Sequence, residues 1–154
     1  MKVSREQAAR NRERIVETAA QLFRERGFEG IGVADLMKEA GLTHGGFYGH
    51  FSSKEDLIAE ASARALVRSL DLFSKVAERG AADPLSAIAA AYLTGRHRDK
   101  PGEGCLLAAL GSDVFRQGPT VRRAVTDHLR SAVDLLAKHE GSGSLRLLLP
   151  KSKP

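Results

Sequence analysis

Apolar residues recur along this chain every three or four positions, the spacing of one helix face, and nowhere alternate long enough for a strand. Ile15, Ala19, Leu22 and Phe23 make the first such face. Upstream, Ser4 and Gln7 form a capping box; downstream, Gly27 suits a left-handed helix end. The first helix therefore runs from Ser4 to Gly27, with Phe28 folding back onto the core. Val33, Leu36, Met37 and Ala40 predict a short second helix, with Gly32 as its N-cap and Gly41 closing it. Thr43 offers a hydroxyl cap to a third helix over roughly 44–50. Gly45, Gly46 and Gly49 lie inside it, each costing about 1 kcal/mol relative to Ala, so Phe47 and Phe51 must anchor it. Two short helices around Gly-Leu-Thr have the form of a helix-turn-helix. The glycines also read as a loose loop; as a helix they leave an outer face that another surface can approach closely.

A fourth helix begins at Ser53, with Asp56 completing a second capping box, and runs to about Arg79. After a break at 80–82, Asp83 caps a fifth helix with Pro84 at its first position. Its apolar positions are Leu85, Ile88, Tyr92 and Leu93. Residues 95–104 read as a polar loop. A sixth helix carries Cys105, Leu106, Ala109, Leu110 and Val114. Beyond Gly118-Pro119, a seventh turns Val121, Val125, Leu129, Val133 and Leu136 inward. From Gly141, Gly-Ser-Gly-Ser reads as linker and the leucine-rich stub after it as a flexible tail. The fold class is all-α.

Composition adds mainly exclusions. Of 154 residues, 42% are hydrophobic and 28% charged, enough to bury a core. One cysteine, Cys105, excludes an intrachain disulfide framework and a Cys-rich zinc site. No apolar run is long enough to span a bilayer and no signal-peptide core follows Met1, so the expected location is cytoplasmic. The net charge of +5 decides little, because residues 1–56 carry nine Lys/Arg against nine Asp/Glu. Residues 1–14 are the uneven part, with Lys2, Arg5, Arg10, Arg12 and Arg14 against Glu6 and Glu13. Such an arm is a footprint of nucleic-acid binding and equally of a solvated helix face. No nucleophile triad, carboxylate pair or phosphate loop stands out, so no enzyme is expected. His44, His50, His97, His128 and His139 lack metal-ligand spacing, so neither metal nor cofactor is expected.

Residues 41–57, Gly-Leu-Thr-His-Gly-Gly-Phe-Tyr-Gly-His-Phe-Ser-Ser-Lys-Glu-Asp-Leu, resemble the signature of the TetR/AcrR family of bacterial transcription regulators. The pattern Ile15…Ala19…Leu22-Phe23…Gly27-Phe28 matches the same family. The resemblance implies a homodimer: three N-terminal helices bind a double-stranded DNA operator, and the other helices form an effector pocket and dimer interface. Domain bounds follow as 1–56 for DNA binding, 57–140 for a helical effector-binding domain and 141–154 for the tail. The reading helix starts with Thr43, His44, Gly45 and Gly46, near base edges, with His44 the candidate for a base contact. Thr43, Tyr48, His50 and Lys54 match positions that hold the DNA backbone, and Arg5 belongs to the basic arm. Gly32 and Gly46 stand where the family often has Ser or Thr, so specificity is expected to rest partly on DNA shape and the arm. Members typically continue with two more long helices that build the dimer interface; this chain reads as a truncation, a frame change or an unusually short member.

The expected effector site is Leu66, Leu70, Phe73, Tyr92, Cys105, Leu106, Leu110 and His128. The same stripe reads as ordinary core, and His128 as a satisfied core histidine. Gly104-Cys105-Leu106 resembles the segment around the sensing cysteine of electrophile-responsive members. A thiol opening a helix favours the reactive thiolate, and a small buried hydrophobe is the alternative. The expected function is a repressor released by a small molecule or electrophile. The alternative is a truncated paralogue that heterodimerises with full-length partners.

Overall fold

The computed structural model describes residues 4–80 and 82–139. Lys2 and the tail expected over 141–154 lie outside the described residues. Ser4 caps helix α1 (Arg5–Arg26), its Oγ accepting from the Gln7 backbone N–H at 3.1 Å. Gln7 does not complete the box. Its side chain donates forward to Asn11 at 2.9 Å and accepts from Arg10 at 3.0 Å, neighbours one turn along the helix. Gly27 ends α1 at φ 81°, and Phe28 folds back, buried, with its ring edge-on to Phe23 at 5.5 Å.

Helix α2 (Val33–Glu39) ends in a paired closure. The Gly41 N–H donates to Lys38 O at 2.9 Å and the Leu42 N–H to Met37 O at 2.8 Å, around a Gly41 φ of 66°. A side chain at that φ costs about 1–2 kcal/mol. Gly41→Ala is therefore expected to lower the unfolding free energy by that amount, read as a lower denaturant midpoint at unchanged m-value. An unchanged midpoint would contradict the assigned turn.

The third helix expected over roughly 44–50 is instead a 3₁₀ segment, His44–Gly49. The Gly46 N–H donates to Thr43 O at 3.0 Å and the His50 N–H to Phe47 O at 2.9 Å, three residues apart. Three glycines in six residues remove the propensity that would hold a full α-turn. The Thr43 hydroxyl makes no cap hydrogen bond, because in the 3₁₀ turn the Gly46 N–H that it would accept from donates to Thr43 O instead.

Ser53 caps α3 (Lys54–Arg79), its Oγ accepting from the Asp56 N–H at 3.1 Å. Asp83 caps α4 (Pro84–Tyr92) through the Ser86 N–H at 3.1 Å. The polar loop expected over 95–104 holds α5 (Gly95–Asp99) and a 3₁₀ turn, Pro101–Glu103. Thr94 explains the difference, since its Oγ1 accepts from the His97 N–H at 3.1 Å and starts a helix. Helices α6 (Leu106–Phe115) and α7 (Pro119–His139) complete an all-helical chain, with no strand among the described residues.

One core runs through the whole bundle. Phe23, Phe28, Leu36, Met37 and Phe47 of the N-terminal part join Leu57, Leu66, Leu106, Leu110 and Val121 in it. The expected boundary at 56/57 falls within the first turns of α3, which packs on both α1 and α7. An ionic seam reinforces the α1–α3 contact: Arg12 pairs with Glu60, and Arg64 with Glu13 and Glu17. Glu17 also accepts from Arg68. The Arg64 guanidinium holds the Glu13 carboxyl below its ordinary value.

Two expected inward residues point out. Leu93 closes α4 and is 79% exposed, and Leu129 is 38% exposed. Steps of four residues advance about 400°, so a 121–125–129 series drifts off the face. The sheltered stripe of α7 follows Val121, Val125, His128 and Ala132 instead. Among the described residues, no helix is long and apolar enough to cross a membrane, and no His/Cys/Asp/Glu group could hold a metal ion.

Candidate functional site

Phe47 determines what the 3₁₀ segment shows to the outside. Its side chain is fully buried, stacked on Phe51 at 5.6 Å and edge-on to Tyr48 at 5.2 Å. With Phe47 facing in, Thr43, His44, Gly45, Tyr48 and Gly49 face out, and Gly46 and His50 are half-buried. Tyr48 is 68% exposed, leaning on His44 at 6.3 Å between ring centroids. A Cβ on Gly45 or Gly49 would meet nothing within 4 Å. One on Gly46 would make only ordinary contacts, with Thr43 Oγ1 at 3.6 Å and Met37 Cε at 3.7 Å. The positive-φ glycines among the described residues are Gly27 and Gly41, so no conformational demand keeps residues 45, 46 and 49 as glycine either. The fold presents a bare backbone ridge flanked by His44 and Tyr48, a shape that admits a close-fitting surface.

Lys54 stands at the start of α3, its Nζ 3.8 Å from the Glu29 carboxylate. Lys54 is half-buried and Glu29 exposed, and a pair of this length at the surface contributes little.

The basic arm is mostly engaged within the molecule. Arg10 pairs with Glu6 at 2.9 Å. Arg12 pairs with Glu60 and lies over the Phe51 ring at 4.4 Å. Arg14 donates to Gly41 O at 3.4 Å, joining α1 to the turn. Arg5 is exposed in the first turn of α1.

The expected effector residues do not surround a common space. Leu66, Leu106 and Leu110 are closed inside the core, while Leu70 and Phe73 are half-buried on α3. Phe73 meets Tyr92 at 6.1 Å, and Tyr92 meets His97 at 4.2 Å. The Cys105 N–H donates to His97 Nε2 at 3.0 Å. Burial raises the Tyr92 phenol, and the adjacent Cys105 thiol adds to the shift. His128 Nδ1 bonds Ala124 O at 2.7 Å, the satisfied core histidine.

A cleft of about 630 Å³ does open nearby, between α1, α3, the end of α4 and the α5 segment, and none of those eight residues lines it. Its charged lining is Glu17, Arg24, Arg68, Arg96 and Glu103, with His97 beside them. Sequence reasoning missed Arg24. It sits in the last turn of α1, where a basic residue ordinarily complements the helix dipole, yet it donates to Gly104 O at 2.9 Å, 80 residues away. No local signal marks so distant a contact.

Residues 15–61 match the family described as bacterial regulatory proteins, tetR family. The chain is 33% identical over 73 residues to the HTH-type transcriptional regulator YerO of Bacillus subtilis, covering 47% of this chain and 25% of YerO. It is 28% identical over 130 residues to the HTH-type transcriptional repressor NemR of Escherichia coli, covering 82% of this chain and 65% of NemR. The chain thus spans from a quarter to just under two thirds of these relatives. The reduced form of Escherichia coli NemR superposes with a TM-score of 0.74 at 26% identity, over 93% of this chain and 76% of that one. A TetR-family regulator from Agrobacterium tumefaciens shares the fold with a TM-score of 0.75 at 24% identity, over 90% and 74% of the two chains.

Proposed function

We propose that the chain, whose residues 15–61 match the tetR family, is a transcription regulator of the TetR/AcrR family that binds operator DNA as a repressor released by a small-molecule or electrophile effector. The observation that carries the DNA reading is the exposed ridge of Gly45 and Gly49, flanked by His44 and Tyr48, over the buried Phe47. A ridge without side chains lets the backbone enter a groove, while Thr43, Tyr48, His50 and Lys54 reach phosphates and Arg5 adds charge from α1. In this reading His44 is the side chain that contacts a base edge. The role is regulatory rather than catalytic, exercised in the cytoplasm as a homodimer on two half-sites about 34–36 Å apart. An effector acts by favouring one of two arrangements of the DNA-binding units over the other.

Double-stranded DNA binding by the full chain, followed by fluorescence anisotropy across a salt series, tests this reading. Log K is expected to fall linearly with log salt, as phosphate contacts require. Binding that ignores salt, or no binding at low salt, would overturn it.

Release is assigned to the Tyr92–His97–Cys105 group. Cys105 precedes α6 and faces the Tyr92 phenol. Adding a bulky group to its sulfur would disturb this packing and, through Gly104, the bond from Arg24 on α1. N-ethylmaleimide is expected to lower the DNA affinity of the native chain and to leave Cys105→Ser unaffected. A Cys105→Ser protein that still responds would remove the thiol from the mechanism.

A further inference from the structure

We infer that the cleft between α1, α3 and the α5 segment binds a small organic monocarboxylate, held by Arg24. The inference deepens the effector reading and rests on it only for the consequence at DNA. At about 630 Å³ the cleft has the size of small-molecule sites.

The argument begins with charge. Of the ionised residues lining the cleft, Arg24, Arg68 and Arg96 face only Glu17 and Glu103. Both glutamates are already committed. Glu17 is shared by Arg64 and Arg68, and Glu103 accepts from Arg96 Nε at 2.7 Å with Lys100 3.9 Å away. Arg24 is left without a direct ion pair, with Glu17 and Glu25 acting on it only from a distance. Among the described residues no carboxylate lies within 4 Å of it, and its Nε is buried with no hydrogen-bond partner. Burial, and then the Arg68 charge, disfavour its charged form by more than Cys105, Glu17 and Glu25 favour it, yet a guanidinium stays protonated. A partly desolvated cation with no counter-ion in contact is unfavourable, and one negative charge added against it relieves this.

The shape of the donor chooses the anion. A guanidinium presents paired N–H groups in a planar fork that fits a carboxylate. A doubly charged phosphate would overshoot a single unpaired positive charge. Elsewhere on the walls Leu72, Ala65 and Ala91 offer contact to an apolar body, and Ser69, Thr94 and Gln21 offer hydrogen bonds.

The site also has a lever. Arg24 belongs to the helix that packs on α2 in the DNA-binding unit, and its Nη1 donates to Gly104 O, next to Cys105. An anion that turns the guanidinium towards itself alters the bond between α1 and the Cys105 segment.

The test uses the full chain and a series of straight-chain carboxylates from butyrate to octanoate. Their neutral amides and inorganic phosphate serve as controls, all at constant ionic strength. Thermal melting is expected to show a saturable rise in midpoint with carboxylates of at least one length, and none with amides or phosphate. The rise should vanish in Arg24→Gln and weaken about tenfold in apparent affinity in Arg24→Lys, which keeps the charge and loses the fork. Ser69→Asp leaves Arg24 in place and supplies an internal carboxylate, so it too should abolish the rise. The inference is overturned by no saturable rise with any chain length, by an equal rise in Arg24→Gln or Ser69→Asp, or by an equal rise with phosphate or the amides. None of these readouts involves DNA, so failure here is distinct from failure of the DNA-binding reading, which the salt series decides.

Discussion

Gly45→Leu is expected to leave the protein as stable as the native chain and to lower its affinity for double-stranded DNA at least tenfold. The two halves of that result come from different observations. A Cβ at Gly45 meets nothing within 4 Å, and its φ is not positive, so the fold accommodates a side chain without strain. Replacing Gly at a compatible position restricts the unfolded chain and stabilises by about 0.4–1 kcal/mol. The exposed leucine offsets part of that gain. On the outside, the leucine stands between the backbone ridge and the groove. Tenfold corresponds to about 1.4 kcal/mol, a modest penalty for a side chain that must be moved aside or separate the surfaces. Urea unfolding and anisotropy titration of one preparation read both halves. A large loss of stability would show that the glycine serves the fold, and unchanged affinity would show that the ridge does not touch DNA.

Phe47→Ala gives the opposite pattern, a loss of stability of about 3–5 kcal/mol from the cavity left in the core. Phe47 is completely buried and contacts the rings of Phe51 and Tyr48. The segment around it has little stability of its own, because 3₁₀ geometry and three glycines provide none. The loss should therefore include disordering of residues 43–50, read as fast amide hydrogen exchange there before global unfolding. Phe47→Leu, which retains most of the volume, should lose much less. Parity of Phe47→Ala with the native chain would mean that the segment is held by something other than this ring.

The helix ends were legible because each is a local event. Ser4, Ser53 and Asp83 cap through a backbone N–H three residues on, Gly27 takes the positive φ expected of it, and Gly41 closes α2 as expected. The outward face of the 3₁₀ segment was legible for the same reason, since Phe47 and Phe51 allow only one orientation of their neighbours. Its 3₁₀ geometry was not, because glycine content says that an α-turn is weak without saying what replaces it. Thr94 hid a helix inside a sequence that reads as loop. The cleft was the least legible part. Leu66, Leu106 and Leu110 share the residue types of a pocket wall and those of a core, and packing put them in the core. Arg24 acquires its role from Gly104, a partner fixed only when α1 and the α5 segment come together.

The central claim is that residues 43–49 present a DNA-reading surface, and selection of DNA fragments from a random duplex library by the purified chain tests it most directly. The account predicts that successive rounds converge on a short common motif bound by the native chain, and that Gly45→Leu, although folded, binds this motif at least tenfold more weakly. Fragments that never converge, or equal affinity of Gly45→Leu for the motif, would contradict it.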